Sequence, residues 1–279
     1  WLRNAVDVLE LVERLRRPFT PPLFLGSVEA CLAGVRGKYN RPAEAHEYSR
    51  LTETGLQPVE REMVARHIRP GGRVLDIGCG AGREAIGLAR AGFRVVGIDI
   101  APQMVEAARA NAQREGLAIT FRVQSATDLD EPSGSFDGAY WTGSYQHIPG
   151  HALRIETLRR IMQGLTPEGA LILLVAYGEE RGLLSRSRLV DLLREALCLL
   201  PGGRRLSEPG DVYMRETSET SDPQAPCFYH MFSTAAEGRA EIEAAGFTGE
   251  EISPGWWVCR PLGRVDSSIG QAVNKSSSI

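Results

Sequence analysis

The residues Val74-Leu75-Asp76-Ile77-Gly78-Cys79-Gly80-Ala81-Gly82-Arg83 hold the densest chemical pattern of the chain. An apolar run ends in an acid, three glycines alternate, and a helical pattern opens at Arg83. This reads as a strand, a tight turn and a helix start. Glycine has no Cβ, so a ligand can lie against bare backbone. A helix N-terminus also directs N–H groups at whatever sits there. Three readings compete: a turn without ligand, a dinucleotide site, and a site for a different nucleoside. The dinucleotide site wants Gly-x-Gly-x-x-Gly, whereas here the third glycine comes one residue early. Asp76 also stands two residues before the first glycine, where a carboxylate repels a pyrophosphate. An acid at that place suits a ligand that carries a cation.

S-adenosylmethionine is such a ligand, with an ammonium, a carboxylate and a sulfonium but no phosphate. On this reading Asp76 holds the amino group, and the backbone from Gly78 through Cys79 and Gly80 to Gly82 runs beside the methionyl part. Asp99 follows about 20 residues on, at the end of the second expected strand, where a carboxylate accepts both ribose hydroxyls. An NAD site shares that feature, so Asp99 indicates a ribose without choosing the ligand.

Taken together, Val74–Arg83, Val95–Met104 and Ser133–Ile148 resemble the class I S-adenosylmethionine-dependent methyltransferases. The resemblance covers roughly residues 59–177, with an extension to Arg260. It implies that Asp76, Gly78 and Gly80 border the methionine moiety, that Asp99 takes the ribose, and that Ile100 and Met104 pack on the adenine. Many members place an acid after the third strand, then a small residue, to read the adenine edge. Here Ser125 and Ala126 occupy those positions, a departure that leaves Thr127 or Asp128 to supply the acceptor. Trp141, Thr142 and Gly143 are implied to lie beside the sulfonium.

Elements that would position these residues alternate from Arg73 to Tyr177. Strands are expected at 73–77, 94–99, 119–124, 136–141 and 170–177, with helices at 83–91, 102–115 and 152–164. Such alternation implies an α/β three-layer, Rossmann-like sandwich around a mostly parallel sheet. Further strands at 248–253 and 256–260, read as a hairpin, complete seven, the last antiparallel. An amphipathic helix is expected at 4–16, a second helical patch at 27–35, a polar stretch at 38–53 and a helix at 58–67. After Tyr177 come a helix at 183–200, a Gly- and Pro-rich loop, strand-like 212–215 and 228–232, and a helix at 234–245. The expected organisation is an N-terminal helical cap (1–58), a methyltransferase domain (59–265) with an insertion (178–232), and a disordered tail (266–279).

Methyl transfer is an in-line displacement that asks the protein for alignment, dryness and, for weak acids, a base. His147, just after the fourth strand, is a candidate base, since an imidazole titrates near 6.5; a structural histidine is the alternative. His230 is a second candidate, flanked by aromatics in Phe228-Tyr229-His230-Met231-Phe232. Tyr39, His46 and Tyr48 lie where relatives fold a lid over the cofactor. Tyr145, Tyr229 and Trp256 are candidate acceptor contacts, although one of Trp256 and Trp257 is expected to fill the sheet core. The five histidines and five cysteines do not cluster, so no metal site is expected.

The formal net charge of −3 and the absence of an apolar run of about 20 residues give no reason to expect nucleic acid or membrane as partner. Five widely spaced cysteines fit reduced thiols in a cytoplasmic protein, and a chain beginning at Trp1 reads as a trimmed start. The acceptor expected is a small molecule methylated at oxygen, nitrogen or another heteroatom. RNA modification is the alternative, and a cofactor-binding regulator without turnover is a third. A homodimer fits either catalytic reading.

Overall fold

The computed structural model describes residues 19–20, 26–177, 208–214 and 227–262. In chain order the strands are β1 (Phe19–Thr20), β2 (Arg73–Ile77), β3 (Arg94–Asp99), β4 (Thr120–Val123), β5 (Phe136–Trp141), β6 (Leu165–Leu174), β7 (Asp211–Met214), β8 (Cys227–His230), β9 (Phe247–Ser253) and β10 (Trp256–Pro261). Seven of them form one sheet in the order β4-β3-β2-β5-β6-β10-β9, and β1, β7 and β8 form a small antiparallel one. Strands β2 to β6 run parallel, and β10 is antiparallel to both its neighbours.

The helices are α1 (Val28–Tyr39), α2 (Pro42–Arg50), α3 (Pro58–His67), α4 (Arg83–Arg90), α5 (Pro102–Arg114), α6 (His151–Gly164) and α7 (Ala235–Ala244). They cover both faces of the sheet, which is why β2 reads as an unbroken apolar run around Asp76. Adjacent strand residues point to opposite faces. Leu75, Ile77 and Trp141 join the core containing Leu158 and Trp257, while Val74 and Tyr140 join the one containing Ile86 and Val105. Strand order reverses between β2 and β5, each hydrogen-bonded to the other. A crevice at the strand C-termini beside such a reversal is where α/β sheets bind ligands.

The strands expected at 73–77, 94–99 and 136–141 occupy those residues, and the fifth begins earlier and stops at Leu174. Tyr177 makes only an isolated bridge to Phe232. The polar stretch at 38–53 contains α2, which has no broad apolar face because only Ala45 of it is buried. Within the expected insertion, β8 packs on α1 and on the loop carrying His147. The expected helices at 4–16 and 183–200 and the expected tail lie outside the described residues. Among the described residues no helix is long and apolar enough to cross a membrane.

Candidate active site

The glycine loop joins β2 to α4, and Gly78, Gly80 and Gly82 all have positive φ (69°, 51° and 96°), the left-handed region that side chains disfavour. Its amides do not point outward. Gly78 and Cys79 N–H donate to the Ile98 carbonyl at 2.8 and 2.9 Å, and Gly82 N–H donates to the Cys79 carbonyl at 2.8 Å. Gly80 N–H donates to Asp99 Oδ2 at 3.0 Å. A phosphate cradle needs those four donors free. Their internal use removes the dinucleotide reading, and with it the expectation that the loop presents its N–H groups to a ligand.

Carboxylates surround the loop instead. Asp76 is 2% exposed, and its Oδ2 has no hydrogen-bond partner. Burial, then the neighbouring Glu84, pushes its carboxyl well above the usual range, with Asp99 adding to the effect and Arg83 opposing it. Asp99 is also raised by burial, against the pull of the Ala101 and Gly80 N–H groups. Ala101 N–H reaches Asp99 Oδ1 at 2.8 Å. Each carboxylate oxygen keeps a second lone-pair site for a ligand hydroxyl. A buried carboxylate with one oxygen unpartnered among further acids suits a cation.

Glu84 and Asp99 border a cavity of about 290 Å³, and Asp76 lies just behind the lining residues Ile77 and Gly78. The cavity's donor end is lined by Gly78, Cys79, Gly80, Asp99, Ile100, Met104, Ser125, Ala126 and Thr142. Ser125 Oγ is engaged with Thr127, at 2.8 Å from its hydroxyl and 3.3 Å from its amide. Thr127 therefore turns onto Ser125 and does not line the cavity. Gln124, Glu60, Arg83 and Glu84 line it although the sequence did not single them out. Arg83 grips Glu60 with two bonds of 2.9 Å, Glu84 at 2.6 Å and the Gly55 carbonyl at 3.0 Å. Thr142 donates to the same Glu84 oxygen at 3.2 Å. Glu60 follows Gln57 at capping-box spacing and accepts its N–H, a signal legible in the sequence.

The opposite end is aromatic. Tyr39 from α1, Tyr48 from α2 and His147 from the turn after β5 line it with Leu32, Val35 and Trp141. Tyr39 Oη lies 3.1 Å from His147 Nε2, and the Phe228 carbonyl lies 2.7 Å from Nδ1. Burial pushes the His147 imidazole down to about 4, helped by Lys38 and opposed by the Phe228 hydrogen bond. It is therefore neutral at neutral pH. Tyr39 stacks edge-on against both Tyr48 and His147.

Other expected contacts lie elsewhere. His230 is buried beside Asp211, Nδ1 to Oδ1 at 2.8 Å, and packs edge-on against Phe232 rather than into the cavity. The aromatics around it mark a buried strand face. Tyr145 points away too: its hydroxyl donates to Glu241 at 2.5 Å and its ring stacks on Phe232. Trp256 packs on Tyr140 and Trp257 fills the sheet core, donating to Tyr177 Oη at 3.0 Å. Tyr229 lies against His147 behind the cavity wall, ring centroids 4.3 Å apart. His46 is exposed on α2. Beneath the His147 turn, buried Arg154 donates to Glu241, to Glu208 and to the Ile148 carbonyl. Glu208, Asp211 and His230 come together: the Glu208 carboxylate accepts from Arg154 and from the His151 N–H, and Asp211 accepts from the Glu208 N–H and meets His230 Nδ1.

Known proteins resemble the chain in sequence and in fold. Residues 74–169 match the model of a methyltransferase domain family. The matched stretch is similar in sequence to methyltransferase domains. It contains Asp76, the glycine loop, Asp99, Thr142 and His147. A curated relative, a ubiquinone biosynthesis O-methyltransferase from Xanthomonas axonopodis pv. citri, is 38% identical over 120 residues, 42% of this chain and 49% of the relative. The chain thus spans about half the length of the curated relatives it matches. An S-adenosylmethionine-dependent methyltransferase from Methanosarcina mazei superposes with TM-score 0.57 at 20% identity, covering 75% of this chain and 100% of that one. A 1,6-didemethyltoxoflavin N1-methyltransferase from Burkholderia thailandensis, solved with its substrate and S-adenosylhomocysteine, gives 0.58 at 20% identity over 86% and 92%. At that identity the likeness to these proteins is one of fold.

Proposed function

We propose that the chain is an S-adenosylmethionine-dependent methyltransferase acting on a small molecule. One observation carries the reading: the buried, unpartnered Asp76 Oδ2 beneath a loop whose amides are turned inward. That donor set suits an ammonium beside a sulfonium and does not suit a phosphate. Asp76 would hold the amino group, Asp99 the ribose, and Ile100 and Met104 the adenine. When bound, the cofactor supplies a methyl group already activated by its positive sulfur. The chain supplies alignment by the glycine loop, a dry aromatic wall of Tyr39, Tyr48 and Trp141, and a neutral imidazole at His147. A bounded, largely apolar cavity supports a small acceptor over RNA. The O-methylating activity in the curated relative's name supports oxygen as the atom. Cys31, Cys79, Cys227 and Cys259 are buried free thiols, which supports a cytoplasmic setting.

Calorimetry with S-adenosylhomocysteine, followed by transfer of labelled methyl from S-adenosylmethionine into fractionated cell extract, tests this. We expect binding on the order of micromolar and label in the small-molecule fraction. Label confined to RNA would overturn the acceptor class, and absence of binding the whole reading.

A further inference from the structure

The hydrogen bonds behind the aromatic wall form a chain whose direction follows from valence. A carbonyl oxygen only accepts, so the 2.7 Å contact from Phe228 to His147 fixes the proton on Nδ1. The neutral ring then offers a lone pair at Nε2. Tyr39 Oη, 3.1 Å away, spends its single hydrogen there. Tyr229 Oη lies 3.3 Å from Tyr39 Oη and must be the donor, because Tyr39 has no second hydrogen. Lys38 Nζ lies 3.4 Å from Tyr229 Oη and, as an ammonium, can only donate. Every hydrogen along Lys38, Tyr229, Tyr39 and His147 points toward the imidazole.

Lys38 is unusual in this chain. Only Lys38 and Lys275 are lysines among the 32 basic residues. Lys38 is buried, with Nζ 5.0 Å from the Tyr39 ring centroid and 5.9 Å from that of Tyr229. A compact ammonium there places positive charge behind both phenols without the flat fork of an arginine.

We propose that Tyr39 is a catalytic residue that takes the proton of a neutral hydroxyl acceptor, a phenol or alcohol, while passing its own proton to His147 Nε2, with Tyr229 and Lys38 as positioning residues. The proposal rests on the methyl-transfer reading. Tyr39 and His147 line the cavity and Tyr229 does not, so the acceptor meets the chain at Tyr39. Tyr39 Oη accepts from Tyr229 and keeps one lone pair, which a hydroxyl hydrogen fits. As the acceptor O–H bond breaks, its proton joins Tyr39 Oη, the Tyr39 proton joins Nε2, and the pair left on the acceptor oxygen forms the new O–C bond. The C–S pair stays with sulfur, and the imidazolium later gives its proton to water. Tyr229 holds the Tyr39 oxygen in place through the transfer, and Lys38 in turn holds Tyr229. An amine acceptor attacks with a free lone pair and a carboxylate has no proton to lose, so neither calls for this chain. His147, pushed down to about 4, accepts a proton only as the oxygen turns cationic, which is when a hydroxyl becomes acidic.

The first test involves no methyl transfer. Nitrogen NMR of the imidazoles, on the full chain with S-adenosylhomocysteine at pH 7, should show His147 protonated at Nδ1 and bare at Nε2. Tyr39→Phe should keep that tautomer and shift the Nε2 resonance, Tyr229→Phe shifting it less. An Nε2–H tautomer or an imidazolium would overturn the proposal. The second test uses catechol and aniline as probe acceptors. On catechol, Tyr39→Phe should lower kcat roughly 100-fold. Tyr229→Phe and Lys38→Met should each lower it roughly tenfold, with KM held within about twofold. Methylation of aniline but not catechol, or effects on KM alone, would also overturn it. If neither probe turns over, the tautomer decides. Failure of wild type to bind S-adenosylhomocysteine refutes the methyl-transfer reading instead, and is seen separately by calorimetry.

Discussion

The two ends of the cavity are built in opposite ways. The loop and acids of the donor end come from 26 consecutive residues, Val74 to Asp99, on two adjacent parallel strands and the turn between them. Its shape is fixed by backbone: loop amides on the Ile98 carbonyl and on Asp99. The acceptor end is side chain against side chain over long separations. Tyr39 and His147 are 108 residues apart, and Tyr39 and Tyr229 are 190 apart. Backbone geometry tolerates sequence change except at glycines, whereas a side-chain assembly fails with any member. The donor end is therefore the part that can stay constant while the acceptor end is rebuilt for another substrate.

The largest break should come from beneath the acceptor end. Glu241 takes Arg154 at 2.7 Å, the Tyr145 hydroxyl at 2.5 Å and His151 at 2.8 Å. Burial alone would raise its pKa, but those donors outweigh burial and hold it below the usual value. Glu241→Gln leaves a buried guanidinium short of its partner, which costs about 3–5 kcal/mol. Chemical denaturation should show that loss. In whatever fraction remains folded, S-adenosylhomocysteine affinity should be unchanged, since no group of the ion pair lines the donor end. A parallel loss of affinity would mean that the two ends are one cooperative unit.

Asp76→Asn should do the reverse. It replaces a buried carboxyl whose Oδ2 has no partner in the free protein, so stability should hold or rise. S-adenosylmethionine affinity should fall by roughly 3 kcal/mol, the scale for truncating one member of a buried charge pair. Calorimetry and thermal unfolding on the same preparation read both signs. A variant that is destabilised but binds normally would remove Asp76 from the ligand.

The same contrast explains what was legible in the sequence. β2, β3 and β5 announce themselves as apolar runs ending in acids or glycines, so Asp76 and Asp99 follow from local pattern. Gln124 was within reach as the last residue of an expected strand. His230 and Tyr145 misled because alternating aromatics report that a face is buried, not what it is buried against; here it meets Asp211, Phe232 and Glu241. Helix α2 was hidden because Arg41 to Arg50 has little apolar periodicity and owes its place to tertiary contacts, such as Asn111 Nδ2 to Ser49 Oγ at 3.3 Å. Lys38 carried a signal, rarity in an arginine-rich chain, but rarity has no direction until a fold brings Tyr229 beside it.

A smaller perturbation tests how far the donor end is backbone alone. A Cβ on Gly78 would overlap Ser144 Oγ and lie 2.7 Å from Ser144 Cβ. That hydroxyl already accepts the Trp141 indole N–H at 2.7 Å. Gly78→Ala should cost roughly 2–3 kcal/mol, combining overlap with left-handed strain. Adding Ser144→Gly should relieve the overlap and leave only the strain, about 1–2 kcal/mol. A double variant no better than the single one would place the whole penalty in the φ of Gly78.

The finest distinction is where the proton goes when the ligand binds. Free Asp76 is held protonated well above the usual carboxylate range by burial and by Glu84 and Asp99. A bound ammonium lowers that pKa, so the complex holds fewer protons than its parts. Binding of S-adenosylmethionine should therefore release a proton, and affinity should rise with pH toward the pKa of free Asp76. The slope cannot exceed tenfold per pH unit, about 1.4 kcal/mol for one proton. His147 responds oppositely: pushed down to about 4, it is neutral in both states at neutral pH and contributes no slope there. Calorimetry in buffers of different ionisation enthalpy reads the proton directly. Release should vanish in Asp76→Asn and persist in His147→Gln. If it vanished in His147→Gln instead, the cation would be sensed from the acceptor end, and the division of labour between the two ends would not hold.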